Sequence, residues 1–223
     1  MIDIFNKSKL NKAFTLSEIL ITLGIIGVVA AMTLPILIQS YKKHIIETRL
    51  QKFYNVMNNA IMRAENEYGD RKIWYSNYDG FSESKNLEQF LNTYLIPYLN
   101  IVKIKKSAAL PIVIYFNDGS AYVFFSSKLG AFYPNGTDKC SKSKENTGKC
   151  MFYFYWLPNN EFYYDFGPYS YKYPKTTKNM SLDTLKNNSS YGCNTTSNSN
   201  RYYCTKLIQN NGWKVPKDYP IKF

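Results

Sequence analysis

The chain has 223 residues, a formal net charge of +12 and aromatic residues at 17% of its positions. It contains a single histidine, His44, and its four cysteines form no Cys-x-x-Cys pair, which argues against a histidine-based catalytic centre or a zinc site of ordinary spacing. Because no phosphate-binding glycine loop or paired-carboxylate motif is present either, we expect no enzyme, no catalytic residue, no metal and no cofactor.

The first predicted element is a long apolar run behind a basic leader. The leader, residues 1–13, carries three lysines and one aspartate, and in the run 14–40, FTLSEILITLGIIGVVAAMTLPILIQS, the only ionisable residue is Glu18. About 20 apolar residues suffice to span a bilayer. A secretory signal peptide is cleaved after its apolar core, whereas here the small residue, Ala13, precedes it. Cleavage there would leave the helix on the mature protein; the alternative is an uncleaved signal anchor.

The segment KAFTLSEILITLGIIGVVAAMTLP resembles the class III leader and N-terminal helix of type IV prepilins and type II secretion pseudopilins. The resemblance extends from residue 7 to about residue 68. It implies that a prepilin peptidase cuts between Ala13 and Phe14 and methylates the new amino group of Phe14. Ala13 stands where this family usually has glycine, so slower processing is expected. Glu18 matches the acidic fifth residue of the mature chain.

The same resemblance implies roles in assembly for Glu18, Gly24, Gly27 and Pro35. Our hypothesis is that Glu18 reaches the amino terminus of a neighbouring subunit and sets the register of the filament. The alternative is a carboxylate at the membrane end that reaches water. The glycines permit close approach of packed helices, or are ordinary glycines of a membrane helix. Pro35 should kink or locally melt the helix.

The helical pattern continues to about Tyr68, where Gly69-Asp70 ends it. One apolar stripe recurs at spacings of three and four residues on an otherwise polar helix: it consists of Ile46, Leu50, Phe53, Met57, Ile61, Ala64 and Tyr68. This second half therefore needs a cover, which we expect from the C-terminal domain.

A shorter helix is predicted within 84–98, where apolar residues again have helical spacing. Strands 112–116 and 121–125 flank Asn117-Asp118-Gly119-Ser120, a strong hairpin signal. A second strand pair, 151–157 and 162–166, is predicted around Pro158-Asn159-Asn160-Glu161. We therefore predict an α+β, pilin-like fold, with the long helix packed on a four-stranded antiparallel sheet.

Residues 167–223 are predicted to form a loop-rich surface lobe. An even number of cysteines beyond a membrane segment suits disulfides in an oxidising compartment. Four cysteines allow three connectivities; loop length favours Cys140–Cys150 with Cys193–Cys204. Residues 139–223 contain thirteen Lys and Arg against five Asp and Glu, so this lobe could attract DNA or an anionic polymer, or simply be a solvated surface.

These predictions define six segments: a cleaved leader (1–13), a transmembrane assembly helix (14–40), its amphipathic continuation (41–68), a connecting region (69–107), the sheet (108–166) and the C-terminal lobe (167–223). The expected function is a structural subunit of a type IV pilus, a type II secretion pseudopilus or a competence pseudopilus. The expected partners are prepilin peptidase, other pilin subunits and the assembly machinery of a bacterial inner membrane, with the C-terminal domain outside the cytoplasm. Alternatives are a membrane-anchored protein whose basic, aromatic C-terminal lobe binds DNA or an anionic surface polymer, and a signal-anchored enzyme.

Overall fold

The computed structural model describes residues 15–76, 84–106, 112–126, 128–161, 164–170, 180–196 and 198–223. The leader and the predicted cleavage site at Ala13 and Phe14 lie outside the described residues. The chain divides into two compact units, Met1–Tyr41 and Lys42–Phe223. In the first unit the structure describes the N-terminal part of the longest helix, and the second unit contains the sheet.

The described elements are helices, strands and three short 3-10 turns. The helices are α1 (Leu16–Tyr68), α2 (Arg71–Ser76), α3 (Ser84–Tyr94), α4 (Leu182–Asn187) and α5 (Cys204–Asn210). The strands are β1 (Ile101–Lys105), β2 (Ile112–Phe116), β3 (Ala121–Phe124), β4 (Leu129–Tyr133), β5 (Phe152–Tyr155) and β6 (Gly167–Pro168). The 3-10 turns are Ile96–Tyr98, Thr137–Lys139 and Lys144–Asn146. This composition confirms the predicted α+β class.

Helix α1 ends where the sequence predicts. Gly69 has φ +77°, a left-handed conformation that favours glycine, and its N–H donates to the carbonyl of Glu65 at 2.9 Å. The helix therefore ends at Tyr68 with a glycine C-terminal motif.

The six strands form one antiparallel sheet in the order β1-β2-β3-β4-β5-β6. The predicted hairpin is confirmed: β2 pairs with β3, and Gly119 in the turn has φ +79°. Asp118 supports this turn by accepting the N–H of Ser120 at 3.1 Å. Each strand of this meander follows its spatial neighbour in the chain.

The prediction of four strands is wrong in two respects. Strands β1, β4 and the two-residue β6 were not expected; β4 contains Gly130, which lowers its strand propensity. The predicted strand 162–166 is absent at 164–166, and residues 162–163 lie outside the described part. There the Trp156 indole N–H donates to the Tyr164 carbonyl at 2.9 Å and the Phe166 ring stacks on Phe154. These residues pack as irregular chain, and β5 instead pairs with β4 and β6.

One face of the sheet covers the apolar stripe of α1, as predicted. Phe53 is the centre of this core: its ring stacks on Phe132 at a centroid distance of 4.2 Å and lies 4.9 Å from Tyr122 and 5.0 Å from Phe154. Leu50, Met57 and Ile61 of the stripe are fully buried in the same cluster. The amphipathic half of α1 is thus stabilised by burial against aromatic strands.

The opposite face of the sheet is buried as well. Alternate residues of β3, β4 and β5, such as Val123, Ala131 and Tyr153, pack against the C-terminal segment rather than solvent. That segment contributes Leu185 from α4 and Leu207 from α5, both buried. The lobe expected to be mainly a loop-rich surface is therefore also the third layer of the domain, and the central strands are buried on both faces.

Candidate functional site

The N-terminus of α1 is held by a reciprocal pair of side-chain bonds between Thr15 and Glu18. The Thr15 backbone N–H donates to Glu18 Oε2 at 2.8 Å, and the Thr15 hydroxyl donates to the same oxygen at 2.9 Å. In return, the Glu18 N–H donates to Thr15 Oγ1 at 3.2 Å. This is a capping box, and its Thr-x-x-Glu signature was visible in the sequence although the sequence analysis did not use it. Glu18 therefore has a local partner within its own chain.

The N-terminal part of α1 is apolar on every side and uncovered. Leu16 is 75% exposed, Leu20 61% and Ile26 63%, and the most apolar window of the helix contains no buried residue. Of the described helices, α1 alone is long and apolar enough to cross a membrane. Such a surface is unstable in water and requires lipid or other apolar helices around it.

Gly24 and Gly27 lie on this exposed part of α1. A Cβ atom added at either position would meet no atom within 4 Å. Neither glycine is therefore required by packing against the described part of the chain. Both leave a small-residue surface, three positions apart, against which another helix can approach closely.

Pro35 lies inside α1, which is helical on both sides of it. Of the two expected effects, a kink or local melting, the melting is not seen, because the helix is continuous through Pro35. Because proline has no N–H, the backbone hydrogen bond to the carbonyl four residues before Pro35 is missing. Nearby, the Thr33 hydroxyl donates to the Val29 carbonyl at 3.0 Å. Glu18, Gly24, Gly27 and Pro35 are thus distributed along one helix and do not form a common pocket.

The four cysteines form the disulfides Cys140–Cys150 and Cys193–Cys204, with Cα–Cα distances of 5.9 and 4.6 Å. This is the pairing favoured by loop length. Cys193 and Cys204 are fully buried, and their disulfide ties the chain after α4 to the first residue of α5. The Cys193–Cys204 bond therefore stabilises the layer that covers the second face of the sheet, whereas Cys140–Cys150 closes a loop in the connection between β4 and β5.

Two buried or half-buried carboxylates of α1 hold distant segments, and the sequence analysis missed both. Glu47 accepts the N–H of Val215 at 2.8 Å and pairs with the Lys214 ammonium at 3.2 Å. Glu65 accepts the Arg71 Nε–H at 2.7 Å and the Tyr164 hydroxyl at 3.0 Å. Hydrogen bonding to Arg71 lowers the pKa of Glu65 despite its partial burial. These carboxylates bind segments that follow α1 in the chain to the second half of the helix.

In the residues that the structure describes, no group of three or more His, Cys, Asp or Glu side chains is placed to hold a metal ion. His44 lies exposed on α1. The feature that stands out in the described residues is the uncovered apolar part of α1, which is a surface for association with apolar partners.

An uncovered apolar helix followed by a disulfide-bonded α+β domain defines a membrane-anchored, single-pass, pilin-like protein, and comparison with known families supports this class. Residues 8–34 match the prokaryotic N-terminal methylation motif, which confirms the prepilin-type leader and helix. Residues 36–223 match a family of unknown function (DUF6613), to which the chain belongs. No curated protein and no solved structure matches the chain.

Proposed function

We propose that this protein is a structural subunit of a pilus-like filament: a type IV pilus, a type II secretion pseudopilus or a competence pseudopilus. The observation that carries the proposal is the methylation motif at 8–34, which leads directly into an apolar helix surface that no other described part of the chain covers. A lipid bilayer would cover this surface before assembly, and neighbouring helices would cover it afterwards. The proposal assigns no catalytic activity to the chain.

The proposed route begins in a bacterial inner membrane, with the domain outside the cytoplasm, where disulfides form. Prepilin peptidase then cuts between Ala13 and Phe14 and methylates Phe14. Removal of the leader takes away Lys7, Lys9, Lys12 and Asp3, which lowers the net charge from +12 to +10. The N-terminal ammonium of Phe14 then lies one helical turn from Glu18 in sequence.

Co-expression with a prepilin peptidase tests the route. Intact mass and N-terminal sequencing should show a chain that begins at methylated Phe14. Ala13→Gly, which restores the usual residue, should be processed at least as fast, whereas Ala13→Glu should block the cut. Purified protein that begins at Met1 in the presence of an active peptidase would contradict the proposal.

The capping box allows the role of Glu18 in assembly to be separated from its role in its own helix. Glu18→Gln retains an acceptor for the Thr15 N–H and removes the charge, whereas Thr15→Val removes the hydroxyl and retains the charge. If Glu18 pairs with the amino terminus of a neighbour, Glu18→Gln should reduce the yield of sedimentable filaments and Thr15→Val should not. The opposite pattern would limit Glu18 to capping.

The alternative, a lobe that binds DNA or an anionic polymer, has less support. Within the lobe 167–223, Tyr169 and Tyr203 are buried in the core of the second face. Stacking on bases requires exposed rings. Duplex DNA binding that falls steeply with salt would favour this alternative over a purely structural subunit.

A further inference from the structure

A cleft lies between α1 and the β2–β3 hairpin, entirely within the unit Lys42–Phe223. Its volume is about 250 Å³. The residues that line it on α1 recur at helical spacing and share one face: they are Arg49, Lys52, Phe53, Val56, Asn59, Ala60 and Arg63. The facing wall includes Tyr98, Asn100 and the hairpin residues Phe116, Asn117, Asp118 and Ser120. None of the features proposed for filament assembly belongs to this cleft.

The cleft has an excess of positive charge. Three cations line it against one carboxylate, Asp118, which pairs with Lys52 at 2.8 Å. Burial alone would raise the pKa of Asp118, but hydrogen bonds from Lys52 and Ser120 outweigh it and lower the pKa. Asp118 is therefore ionised at neutral pH and its charge is balanced by that of Lys52, which leaves the charges of Arg49 and Arg63.

These two arginines contact neutral groups. Arg49 donates to the Pro134 carbonyl and, at 2.9 Å, to Asn135 Oδ1. The Arg63 guanidinium lies 5.2 Å from the centroid of the Tyr98 ring. In the described part of the chain neither has a carboxylate within ion-pair distance. Each can accept an anionic partner without breaking an existing ion pair.

The positions of the arginines set the length of a ligand. Fourteen residues of helix separate them, which corresponds to about 21 Å along the axis at a rise of about 1.5 Å per residue. An extended peptide covers this distance with about six residues. Between the arginines the lining is partly apolar, from Phe53, Val56 and Phe116.

We propose that this cleft binds an extended acidic peptide segment of a partner protein, with an apolar side chain in the middle and a carboxylate towards each end. The end carboxylates pair with Arg49 and Arg63, and the apolar side chain covers Val56 and Phe116. Charge complementarity selects the partner, because a segment with amide side chains would leave both guanidinium groups without an anion.

The test uses the full-length protein in a neutral detergent and a rhodamine-labelled hexapeptide with terminal glutamates and a central phenylalanine. Fluorescence anisotropy should show saturable binding, and Arg63→Gln should weaken it about fivefold or more, as expected for loss of one charge pair. Lys105→Gln removes an exposed cation from β1, outside the cleft, and should change the affinity less than about twofold.

A second variant and a control peptide test whether binding occurs in the cleft and depends on the carboxylates. Asn59→Trp places a large side chain in the cleft from an exposed position, and should abolish binding while the circular dichroism spectrum is unchanged. A peptide with glutamines in place of both glutamates should not bind. Equal binding of the two peptides, equal loss in Arg63→Gln and Lys105→Gln, or full competition by inorganic phosphate alone would overturn the proposal.

Discussion

The two halves of α1 are both rich in apolar residues, yet their surroundings are opposite. From Leu16 to Ile38 the large apolar side chains are exposed, whereas from Ile46 to Ala64 the apolar stripe is buried under the sheet. The first half has no polar face, so a folded domain of the same chain could cover only part of it. The second half has a single stripe and one sheet covers it. The distribution of polar residues, rather than apolar content, decides whether a helix finds its cover within its own chain or outside it.

A matched pair of leucines gives the largest expected contrast. Leu50 is fully buried and Leu20 is 61% exposed on the same helix. Leu50→Ala should lower the free energy of unfolding by about 2–5 kcal/mol, because it leaves a cavity against the sheet. Leu20→Ala should change it by less than about 0.5 kcal/mol. Denaturant unfolding of the full-length protein in detergent, followed by near-ultraviolet circular dichroism, measures both. Equal effects would break the comparison.

Reduction of the disulfides should affect the domain and leave the N-terminal helix intact. All four cysteines lie in the C-terminal half, and each disulfide closes a short loop, with sequence separations of 10 and 11. The chain-entropy model gives about 2–3 kcal/mol of stabilisation for each. The double variant Cys193→Ser, Cys204→Ser should lose this amount of unfolding free energy. Adding reductant to the variant should then remove only the contribution of Cys140–Cys150. Unchanged unfolding in the variant would show that packing alone holds α5.

Glycines of the two regions should respond differently to alanine. A Cβ atom at Gly130 would lie 2.3 Å from the Tyr122 hydroxyl oxygen and 2.7 Å from the Val123 carbonyl oxygen, so Gly130→Ala should destabilise the domain by about 1–3 kcal/mol. Gly24→Ala has open space and should leave domain stability unchanged. Thermal unfolding of both variants checks the pair. A loss of filament yield in Gly24→Ala, with normal stability, would sharpen the distinction between packing within and between subunits.

Carboxylates of the two regions provide the smallest effect, which depends on pH. The pKa of Glu65 is lowered by its hydrogen bond to Arg71, so its stabilisation is complete above the ordinary pKa of glutamate and is lost as the pH falls through the lowered value. Glu65→Gln should therefore cost about 1 kcal/mol at pH 7, and this difference from the wild type should shrink towards pH 3. Glu18→Gln is the control and should not alter domain stability at either pH. A Glu65 effect that is constant with pH would contradict an ionic origin.

Structural features that depend on neighbouring residues in the chain, such as a turn, a helix and a helix end, could be predicted from the sequence. The Asp-Gly turn predicted the β2–β3 hairpin, the apolar spacing predicted α1, and Gly69 marked its end. The Thr15–Glu18 capping box was equally local and could have been found. Strand β4 could not be distinguished from a loop in the sequence, because it contains Gly130. A glycine is needed there because the Tyr122 side chain of the neighbouring strand leaves no room for a Cβ atom. The error at 162–166 has a similar cause, since Phe166 is buried by tertiary packing although its backbone is irregular.

The assembly residues were predicted from a resemblance in a continuous segment, which a single sequence can carry. The cleft could not be predicted in this way. Its arginines lie on the polar side of α1, and in the sequence they resemble ordinary solvent-exposed charges. Only the structure shows that the β2–β3 hairpin lies opposite them. Likewise, nothing local in the sequence connects Glu47 with Val215, which are 168 residues apart.

The bond between Glu47 and the Val215 N–H has a consequence for the order of events in biosynthesis. The ribosome produces the helix first, but the segment that Glu47 retains emerges only after 168 further residues. Until then Glu47 lacks the Val215 N–H as a hydrogen-bond donor, and the apolar stripe of the nascent helix is not yet covered by the strands of the sheet. Maturation of this domain should therefore follow translation rather than accompany it, and a holding chaperone would have its longest opportunity during that interval.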